Sequence, residues 1–460
     1  MPELEFEKNI LGQKEIKHFI SRSEYKTKSK FELLEEINWD FKDAKTQYLT
    51  HRFHSYPARF IPQIPRTFIK LFTKKGDIVL DPFCGCGTTL VESQLLGRHS
   101  FGNDLNPLAT LISKVKTTPM SARKLNELVI FLDRIEREIK RNNRKLTLPK
   151  LPNRNISKLF TKEMLEELQV IKENINELED KALFNLSLVA LSSTIRAIIE
   201  SENGDNIFQI FKNKVNMMAD TIKEYNRYVD DNTKVSVITG DSRRLKDIGD
   251  NSVDLIVTSP PYVNALDYYR VHMYNMLWLG MDYSAFKQNE IGGHSHHIFN
   301  RFRLLSEYLG DMLRSMIEMN RVMKKGKICA IVVGNSSIDY ELIESYKHFV
   351  NMAKFIGFDV KKTIFRNIDK SAKYFVNGKI DDEFIVILEK VKDSSHTYRD
   401  DEFIAEIVRN ELKIFREKVK KNPGSSTRGK KVTMERLRKN VYKIDEAIKN
   451  VEKDIKFKEV

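Results

Sequence analysis

Short apolar runs alternate with stretches of helical spacing in the first part of the chain. Residues 77–81 and 99–105 are apolar runs typical of strands, and residues 88–96 between them have a helical period that Gly97 ends. Asn106 and Pro107 then predict the start of a second helix, because proline in a first turn loses no hydrogen bond. This block therefore predicts a strand–helix–strand–helix order.

A second block of the same kind begins near residue 234. It predicts a helix over residues 341–355, a turn at Asn377-Gly378, and strands over residues 235–241, 253–258, 327–334, 358–365 and 383–388. The run at 327–334 is apolar almost throughout, as expected for a strand covered on both faces. Together the blocks predict an α/β fold with an open, mainly parallel sheet, whose ligand lies beyond the carboxyl ends of the strands.

Residues 114–231 and 400–460 are helical in pattern, and the first of these segments is poor in glycine. We expect five parts: an N-terminal segment (1–50), a first half of the sheet (51–113), a helical insertion (114–233), a second half of the sheet (234–395) and a basic helical C-terminal segment (396–460).

Positive charge is in excess and is concentrated near the C-terminus. Lys and Arg outnumber Asp and Glu by 78 to 64, and between Lys413 and Lys443 twelve basic residues face only Glu417 and Glu435. Such a balance favours a polyanionic partner such as nucleic acid. The C-terminal run itself fits either contacts to a DNA backbone or a solvated helix face.

Metal and membrane sites are not expected. The three cysteines, Cys84, Cys86 and Cys329, are too few for a disulfide framework, and no second ligand pair completes a zinc site beside the first two. No run approaches the roughly 18 apolar residues of a membrane span, and the start of the chain lacks a secretory pattern. We therefore expect a cytoplasmic protein.

Two glycines occupy the turn between the first predicted strand and helix. Residues 81–89 read Asp-Pro-Phe-Cys-Gly-Cys-Gly-Thr-Thr, in which Gly85 and Gly87 let the backbone approach a ligand beside the free N–H groups of a helix start. Asp104 ends the next strand, where a carboxylate can accept hydrogen bonds from the hydroxyls of a ribose. A plain tight turn accounts for the glycines alone, but not for their position beside Asp104.

A strand also ends directly in Ser259-Pro260-Pro261-Tyr262. The prolines fix the backbone and remove two N–H donors, so that the Pro260 carbonyl is a rigid acceptor. A nucleobase amine is a poor nucleophile because its lone pair is delocalised into the ring. Hydrogen bonds from the amine to the Ser259 hydroxyl and the Pro260 carbonyl would favour a pyramidal, reactive nitrogen, and Tyr262 can stack on a base extruded from the duplex.

With these two motifs the chain resembles the DNA amino-methyltransferases, which use S-adenosylmethionine. The resemblance covers about residues 51–106 and 235–390, and it implies a Rossmann-like methyltransferase sheet in which Phe83, Gly85 and Gly87 surround the methionine part of the cofactor. Asp104 would bind the ribose and Asp241 the adenine amino group, although Asp241 also fits a helix N-cap. The implied cofactor residues are His54, Tyr56, Pro57, Asp81, Phe83, Cys84, Gly85, Gly87, Thr88, Asn103, Asp104 and Asp241. The aromatic segment that includes His54, Tyr56, Pro57 and Phe60 also fits simple packing.

The resemblance further implies that Ser259, Pro260, Pro261 and Tyr262 are catalytic. Serine in the first position is commonest in enzymes that methylate cytosine N4, whereas Asp or Asn is usual for adenine N6. Methylation at cytosine C5 needs a Pro-Cys pair, which this sequence lacks. Asp267, Tyr268 and Arg270 would hold the flipped base or its phosphate, or would only pack a helix.

These expectations amount to a cytosine-N4 DNA methyltransferase of a restriction-modification or related defence system, with DNA and a separate cognate endonuclease as partners and the insertion as a possible target-recognition region. Adenine N6 is the main alternative acceptor. RNA or protein amide methylation is less expected, and a non-catalytic nucleic-acid-binding protein of the same fold is the alternative of another class.

Overall fold

A computed structural model describes residues 28–141, 160–201, 206–293, 297, 299–368, 382–426 and 432–457. Its centre is one seven-stranded sheet with the strand order β3-β2-β1-β4-β5-β9-β8. The strands are β1 (Ile78–Asp81), β2 (His99–Asp104), β3 (Val235–Thr239), β4 (Val253–Thr258), β5 (Met323–Gly334), β8 (Phe358–Asn367) and β9 (Asp382–Lys390).

Parallel pairing joins the first five strands of the sheet, from β3 to β5. The strand β9 lies antiparallel between β5 and β8. The predicted α/β class and the mainly parallel sheet are therefore confirmed. The strand order reverses at β1 and β4, and in sheets of this kind the ligand lies at the carboxyl ends of the strands beside such a reversal.

Helices cover both faces of this sheet. They are α1 (Lys30–Glu36), α2 (Gln63–Phe72), α3 (Thr88–Leu95), α4 (Pro107–Lys116), α5 (Ala122–Arg141), α6 (Lys162–Asn176), α7 (Lys181–Ser201), α8 (Ile207–Tyr225), α9 (Tyr268–Leu279), α10 (Tyr283–Asn289), α11 (Phe302–Val322), α12 (Ser345–Ala353), α13 (Asp401–Lys421), α14 (Met434–Lys449) and α15 (Val451–Asp454), with 3₁₀ turns at Leu49–Arg52 and Lys354–Ile356.

Alternate residues of the central strands enter two separate apolar cores. Leu255 and Val257 of β4 pack in the core that includes α2, whereas Ile256 between them packs in the core formed with α11, α12 and α13. This two-residue period is what a strand covered on both faces requires.

The helices α5 to α8 form a third apolar core together with α4 and α9. Within α7, Lys181–Glu200 has the length and mean hydropathy, 1.7, of a membrane span, but most of that stretch is buried inside the protein. It is therefore the central helix of this core, and its apolar character is explained by packing.

The C-terminal helices pack on α11 through buried charge. The Arg314 side chain is fully buried and donates to the Asp401 carboxylate at 2.6 Å and to the Ile455 carbonyl at 2.8 Å. Several basic residues of this segment are likewise paired inside the protein, as Lys418 is with Glu344 at 2.8 Å. Much of the C-terminal charge thus has intramolecular partners.

The start of one predicted helix is wrong. Residues 341–343 begin the predicted helix, but they form strand β7 (Glu341–Ile343) of a hairpin with β6 (Ser336–Ile338), and α12 starts only at Ser345. The hairpin turns at Asp339 and Tyr340, both with positive φ, and Ser426 donates its N–H to the Tyr340 carbonyl at 3.0 Å. Contacts from the distant C-terminal segment override the local helical pattern. The predicted turn at Asn377-Gly378 lies outside the described residues.

Candidate active site

The turn after β1 is held by the carboxylate of Asp81. The hydroxyls of Thr258, at the end of β4, and Thr89, in α3, donate to its two oxygens at 2.6 and 2.7 Å. Burial raises the pKa of Asp81 to about 6, although these hydrogen bonds oppose the shift. Asp81 therefore joins β1, β4 and α3 at the carboxyl edge of the sheet.

The two glycines of the turn have different surroundings. Both have positive φ, +48° for Gly85 and +79° for Gly87. A Cβ on Gly87 would lie 2.7 Å from the Ser113 hydroxyl oxygen, whereas a Cβ on Gly85 would meet only Tyr56, at 3.7 Å. Gly85 thus lines an open space, while Gly87 allows α3 to pack against α4 and does not contact that space.

Asp104 ends β2 and faces the same turn. Its carboxylate accepts the Gly85 N–H at 2.8 Å on one oxygen and the Asn106 N–H at 2.9 Å on the other. Burial raises its pKa to about 6, and the two backbone hydrogen bonds only partly oppose this. Each carboxylate oxygen has further lone pairs, so Asp104 retains acceptors for ligand hydroxyls.

A cavity of about 110 Å³ lies at the carboxyl ends of β1, β2 and β4. Residues predicted from the sequence form most of its wall: Tyr56, Phe60, Asp81, Phe83, Cys84, Gly85, Thr88, Asp104, Asp241, Ser259, Pro261 and Tyr268. The other predicted residues do not line it: His54, Pro57, Gly87, Asn103, Pro260, Tyr262, Asp267 and Arg270.

A second cavity, of about 420 Å³, adjoins the first and shares part of its wall. Pro260 and Tyr262 line this second cavity, together with Arg366 and Glu383. Residues common to both walls include Tyr56, Phe60, Ser259 and Tyr268. Ser259 therefore borders two spaces, one bounded by Asp104 and the other by Tyr262, and its side chain hydrogen-bonds with that of Tyr262.

The Ser-Pro-Pro-Tyr turn is fixed from two sides. The Tyr262 hydroxyl donates to Glu383 on β9 at 2.8 Å, and Glu383 pairs with Arg366 on β8. The Tyr308 hydroxyl of α11 donates to the Pro261 carbonyl at 3.0 Å. In the described part of the chain nothing donates to the Pro260 carbonyl, so that acceptor remains available.

Asp241 follows β3 and already has a strong partner. Arg243 donates to its two oxygens at 2.9 and 2.7 Å, and also to Asp311 of α11 at 2.9 Å. A turn and not a helix follows Asp241, so the N-cap alternative is wrong. A ligand amine at Asp241 would share a carboxylate that Arg243 holds in place.

The segment before β1 packs partly against the insertion helices. His54 is buried and its Nε2 lies 3.0 Å from the Ser192 hydroxyl of α7; burial lowers its pKa well below the usual value. Tyr56 stacks on His272 of α9 with ring centroids 4.7 Å apart. His54 and Pro57 thus fit the packing alternative, whereas Tyr56 lines both cavities.

Asn103 and the residues at the start of α9 have different surroundings. The Asn103 amide donates to the Gly240 carbonyl at 3.0 Å, linking the ends of β2 and β3. The Arg270 side chain is 69% exposed and pairs with Asp267 at 3.3 Å. Of the three predicted base-holding residues, only Tyr268 reaches the cavities.

Sequence reasoning missed nine residues of the first cavity: Ala58, Arg59, Pro82, Cys86, Leu105, Ser242, Phe286, Glu290 and Ile291. Three of them belong to α10 and the segment after it, which carries no recognisable motif. Their position depends on how this segment folds back over the turn, where Asn264 donates its N–H to the Gly292 carbonyl at 3.1 Å. No local pattern in the sequence signals that contact.

The two cysteines of the turn are buried free thiols. The Cys86 sulfur accepts from Lys116 at 3.4 Å, and burial raises the pKa of Cys84 well above the usual value. Among the described residues no group of three or more His, Cys, Asp or Glu is placed to hold a metal ion.

Comparison with known proteins bears on this site. A family model described as DNA methylase, of the N6/N4 class, matches residues 6–114 and 253–458, well over half of the chain. The match reaches further at both ends than the motifs predicted, since it includes most of the C-terminal segment, and it leaves out the insertion.

Individual relatives agree with the family match. The chain is 28% identical to the type II methyltransferase M.MvaI of Kocuria varians, over 65% of this chain and 67% of that protein. It is 24% identical to the type II methyltransferase M.BsoBI of Geobacillus stearothermophilus over 65% of each chain, and 34% identical to the type II methyltransferase M.MjaII of Methanocaldococcus jannaschii over 27% of this chain and 24% of that protein. The chain therefore spans about two thirds of the first and second of these relatives and a quarter of the third.

Proposed function

The chain belongs to the N6/N4 DNA methylase family, and from this premise we propose that it transfers a methyl group from S-adenosylmethionine to the N4 amino group of cytosine at specific sites in DNA. The observation that carries the proposal is the position of Ser259 between the two cavities. An amine held at Ser259 in the second cavity would face a methyl donor held beside Asp104 in the first.

The first cavity has groups that fit S-adenosylmethionine. Asp104 keeps acceptors for ribose hydroxyls, and Gly85 has no side chain to fill the space beside it. When bound, the cofactor supplies an electrophilic methyl group on a sulfonium. The protein contributes position, which can account for a large part of the rate of a reaction between two bound molecules.

The second cavity fits the acceptor base. The Ser259 hydroxyl and the Pro260 carbonyl are acceptors for the two amine hydrogens and favour a pyramidal nitrogen. Tyr262, held by Glu383 at 2.8 Å, offers an aromatic surface at the same turn, and a base reaches it only after leaving the duplex. We propose cytosine as the acceptor base because the turn begins with a serine, which is commonest in cytosine-N4 enzymes. Adenine N6 is the alternative acceptor.

The similarity to type II methyltransferases supports membership of a restriction-modification system. A separate endonuclease is then the expected partner, and the helical insertion is the proposed target-recognition region. The cytoplasmic location expected from the sequence stays a prediction.

The test is to express the protein in cells that lack DNA methyltransferases and to measure N4-methylcytosine and N6-methyladenine in digested DNA by mass spectrometry. We expect N4-methylcytosine, and much less of it from a variant with Asp104→Ala and Ser259→Ala. Detection of N6-methyladenine alone would show that the acceptor is adenine and not cytosine. Neither base, together with no binding of S-adenosylmethionine, would favour the non-catalytic alternative.

A further inference from the structure

Glu290 is an acidic residue of the first cavity that the proposed chemistry does not use. It follows α10 and approaches the start of α9, where its Oε1 accepts the Tyr268 N–H at 2.6 Å. Its other oxygen, Oε2, is buried and has no hydrogen-bond partner among the described residues. The N–H groups of Tyr268 and Tyr269 at the start of α9 both act on the carboxylate, and Oε2 still lacks a hydrogen bond of normal geometry.

The charged surroundings of Glu290 are mainly acidic. Asp267 at the start of α9 and Asp104 at the end of β2 both act on it, and burial with these charges raises its pKa to about 8. Asp81, Asp241 and Tyr268 line the same cavity. Arg59 is the one cation of the cavity wall among the described residues, and it donates to the His51 carbonyl at 2.7 Å.

A buried carboxyl group with a free oxygen needs a partner, because an unsatisfied buried acceptor is unfavourable. The cap alone does not require a second oxygen, and a glutamine would serve it equally. The acidic neighbours repel an anion and attract a cation. The missing partner is therefore expected to be a positively charged group that enters the cavity with the ligand.

We propose that Glu290 contacts a positively charged group of bound S-adenosylmethionine through Oε2. This rests on the proposed function. The cofactor has two such groups, the sulfonium and the α-ammonium, whereas the demethylated product S-adenosylhomocysteine keeps only the ammonium. A contact to the sulfonium would therefore help the protein to distinguish substrate from product.

This contact predicts that cofactor binding releases a proton from Glu290. At pH 7 the free protein holds Glu290 mostly protonated, because burial disfavours its anion. A cation beside Oε2 favours the anion, so binding should release up to about one proton per site.

Titration calorimetry with S-adenosylmethionine and with S-adenosylhomocysteine tests this in the wild-type protein, in Glu290→Gln and in Asp282→Asn. Glutamine keeps the acceptor for the Tyr268 N–H. Asp282 caps α10, so Asp282→Asn keeps a cap while making the same change from carboxyl to amide outside the first cavity. Runs at pH 7 in buffers of different ionisation enthalpy give the protons released.

We expect Glu290→Gln to bind S-adenosylmethionine at least about tenfold more weakly, because the variant loses an attractive contact between opposite charges, and to lose the proton release. Asp282→Asn should match the wild type. Weaker binding of S-adenosylmethionine alone would assign the sulfonium, and equal weakening for both ligands would assign the ammonium.

Unchanged affinity for both ligands in Glu290→Gln would overturn the assignment. So would a wild-type protein that binds the cofactor without releasing protons, a result that needs no variant to fold. A wild-type protein that binds neither ligand would instead contradict the proposed function.

Discussion

Two carboxyl groups at the edge of the sheet have similar pKa values but different surroundings. Asp81 is satisfied by hydroxyls of the protein itself, Thr89 and Thr258, whereas Asp104 accepts only backbone N–H groups and keeps acceptors toward the cavity. Both carboxyl groups are buried, but Asp81 stabilises the fold through its protein donors, whereas Asp104 has acceptors left for a ligand.

Asp104→Ala should lower the affinity for S-adenosylmethionine at least about tenfold, because it removes a charged acceptor for ribose hydroxyls. In the wild type the pKa of Asp104 is raised to about 6, so lowering the pH from 7 to 5 should protonate it and weaken binding. Calorimetry from pH 5 to 7.5 measures both effects. If the affinity of Asp104→Ala falls toward pH 5 as much as that of the wild type, Asp104 is not part of the binding site.

Ser259→Ala should slow methyl transfer more than it weakens binding. The variant lacks one acceptor for the amine, but the Pro260 carbonyl and Tyr262 remain, so we expect a decrease of about two- to tenfold, the range for one neutral hydrogen bond. Single-turnover rates beside dissociation constants for DNA and cofactor measure it. Ser252→Ala, just before β4, is the control, and equal single-turnover rates in both variants would contradict the role of Ser259.

At the scale of elements, the sequence predicts those strands and helices that depend only on neighbouring residues. Both strands that end in motifs were predicted to within a residue, and membership of the amino-methyltransferase family is confirmed. The β6–β7 hairpin, the engagement of Asp241 by Arg243 and the position of Glu290 were missed. The hairpin contacts the distant Ser426, and Arg243, although only two residues from Asp241, is also held by Asp311 of α11. Glu290 reaches back to Tyr268. The periodicity of neighbouring residues carries no information about these contacts.

The turn between β1 and α3 gives a prediction that separates packing from binding. Gly87→Ala should destabilise the protein by about 1–3 kcal/mol, since its Cβ would meet Ser113 at a positive φ. Gly85→Ala, with space beside its Cβ, should lower the melting temperature less but weaken cofactor binding. Thermal unfolding and calorimetry compare the two. A Gly85→Ala protein that is the less stable of the pair and binds normally would reverse these roles.

At the scale of the whole molecule, some basic residues of the C-terminal segment have an acidic partner within the protein and others do not. Lys418 pairs with Glu344 and also donates to the Leu342 carbonyl at 2.9 Å, so it connects α13 to the β7 strand. Lys421 has no ion pair in the described part of the chain, and Lys430 and Lys431 lie outside it. Net charge alone therefore overstates the number of residues free to contact DNA.

Replacing Lys421, Lys430 and Lys431 by alanine should weaken DNA binding and reduce the logarithmic salt slope by about 0.9 for each phosphate that the variant no longer neutralises. Lys418→Ala should instead lower thermal stability and leave the slope unchanged. Binding measured across a salt series, beside unfolding curves, distinguishes them. The solvated-face interpretation is correct if the triple variant keeps the wild-type slope.

The hydrogen bond between Thr258 and Asp81 joins residues 177 positions apart, which has a consequence during synthesis on the ribosome. At about 5–20 residues per second, roughly 9–35 s separate the translation of the two residues. In that interval β1 lacks β4 as a neighbour, and the Asp81 carboxylate lacks one of its donors. The insertion helices share their apolar core with α9, which is translated after β4. The nascent chain would therefore present an incomplete sheet edge beside an incomplete helical core until β4 and α9 arrive.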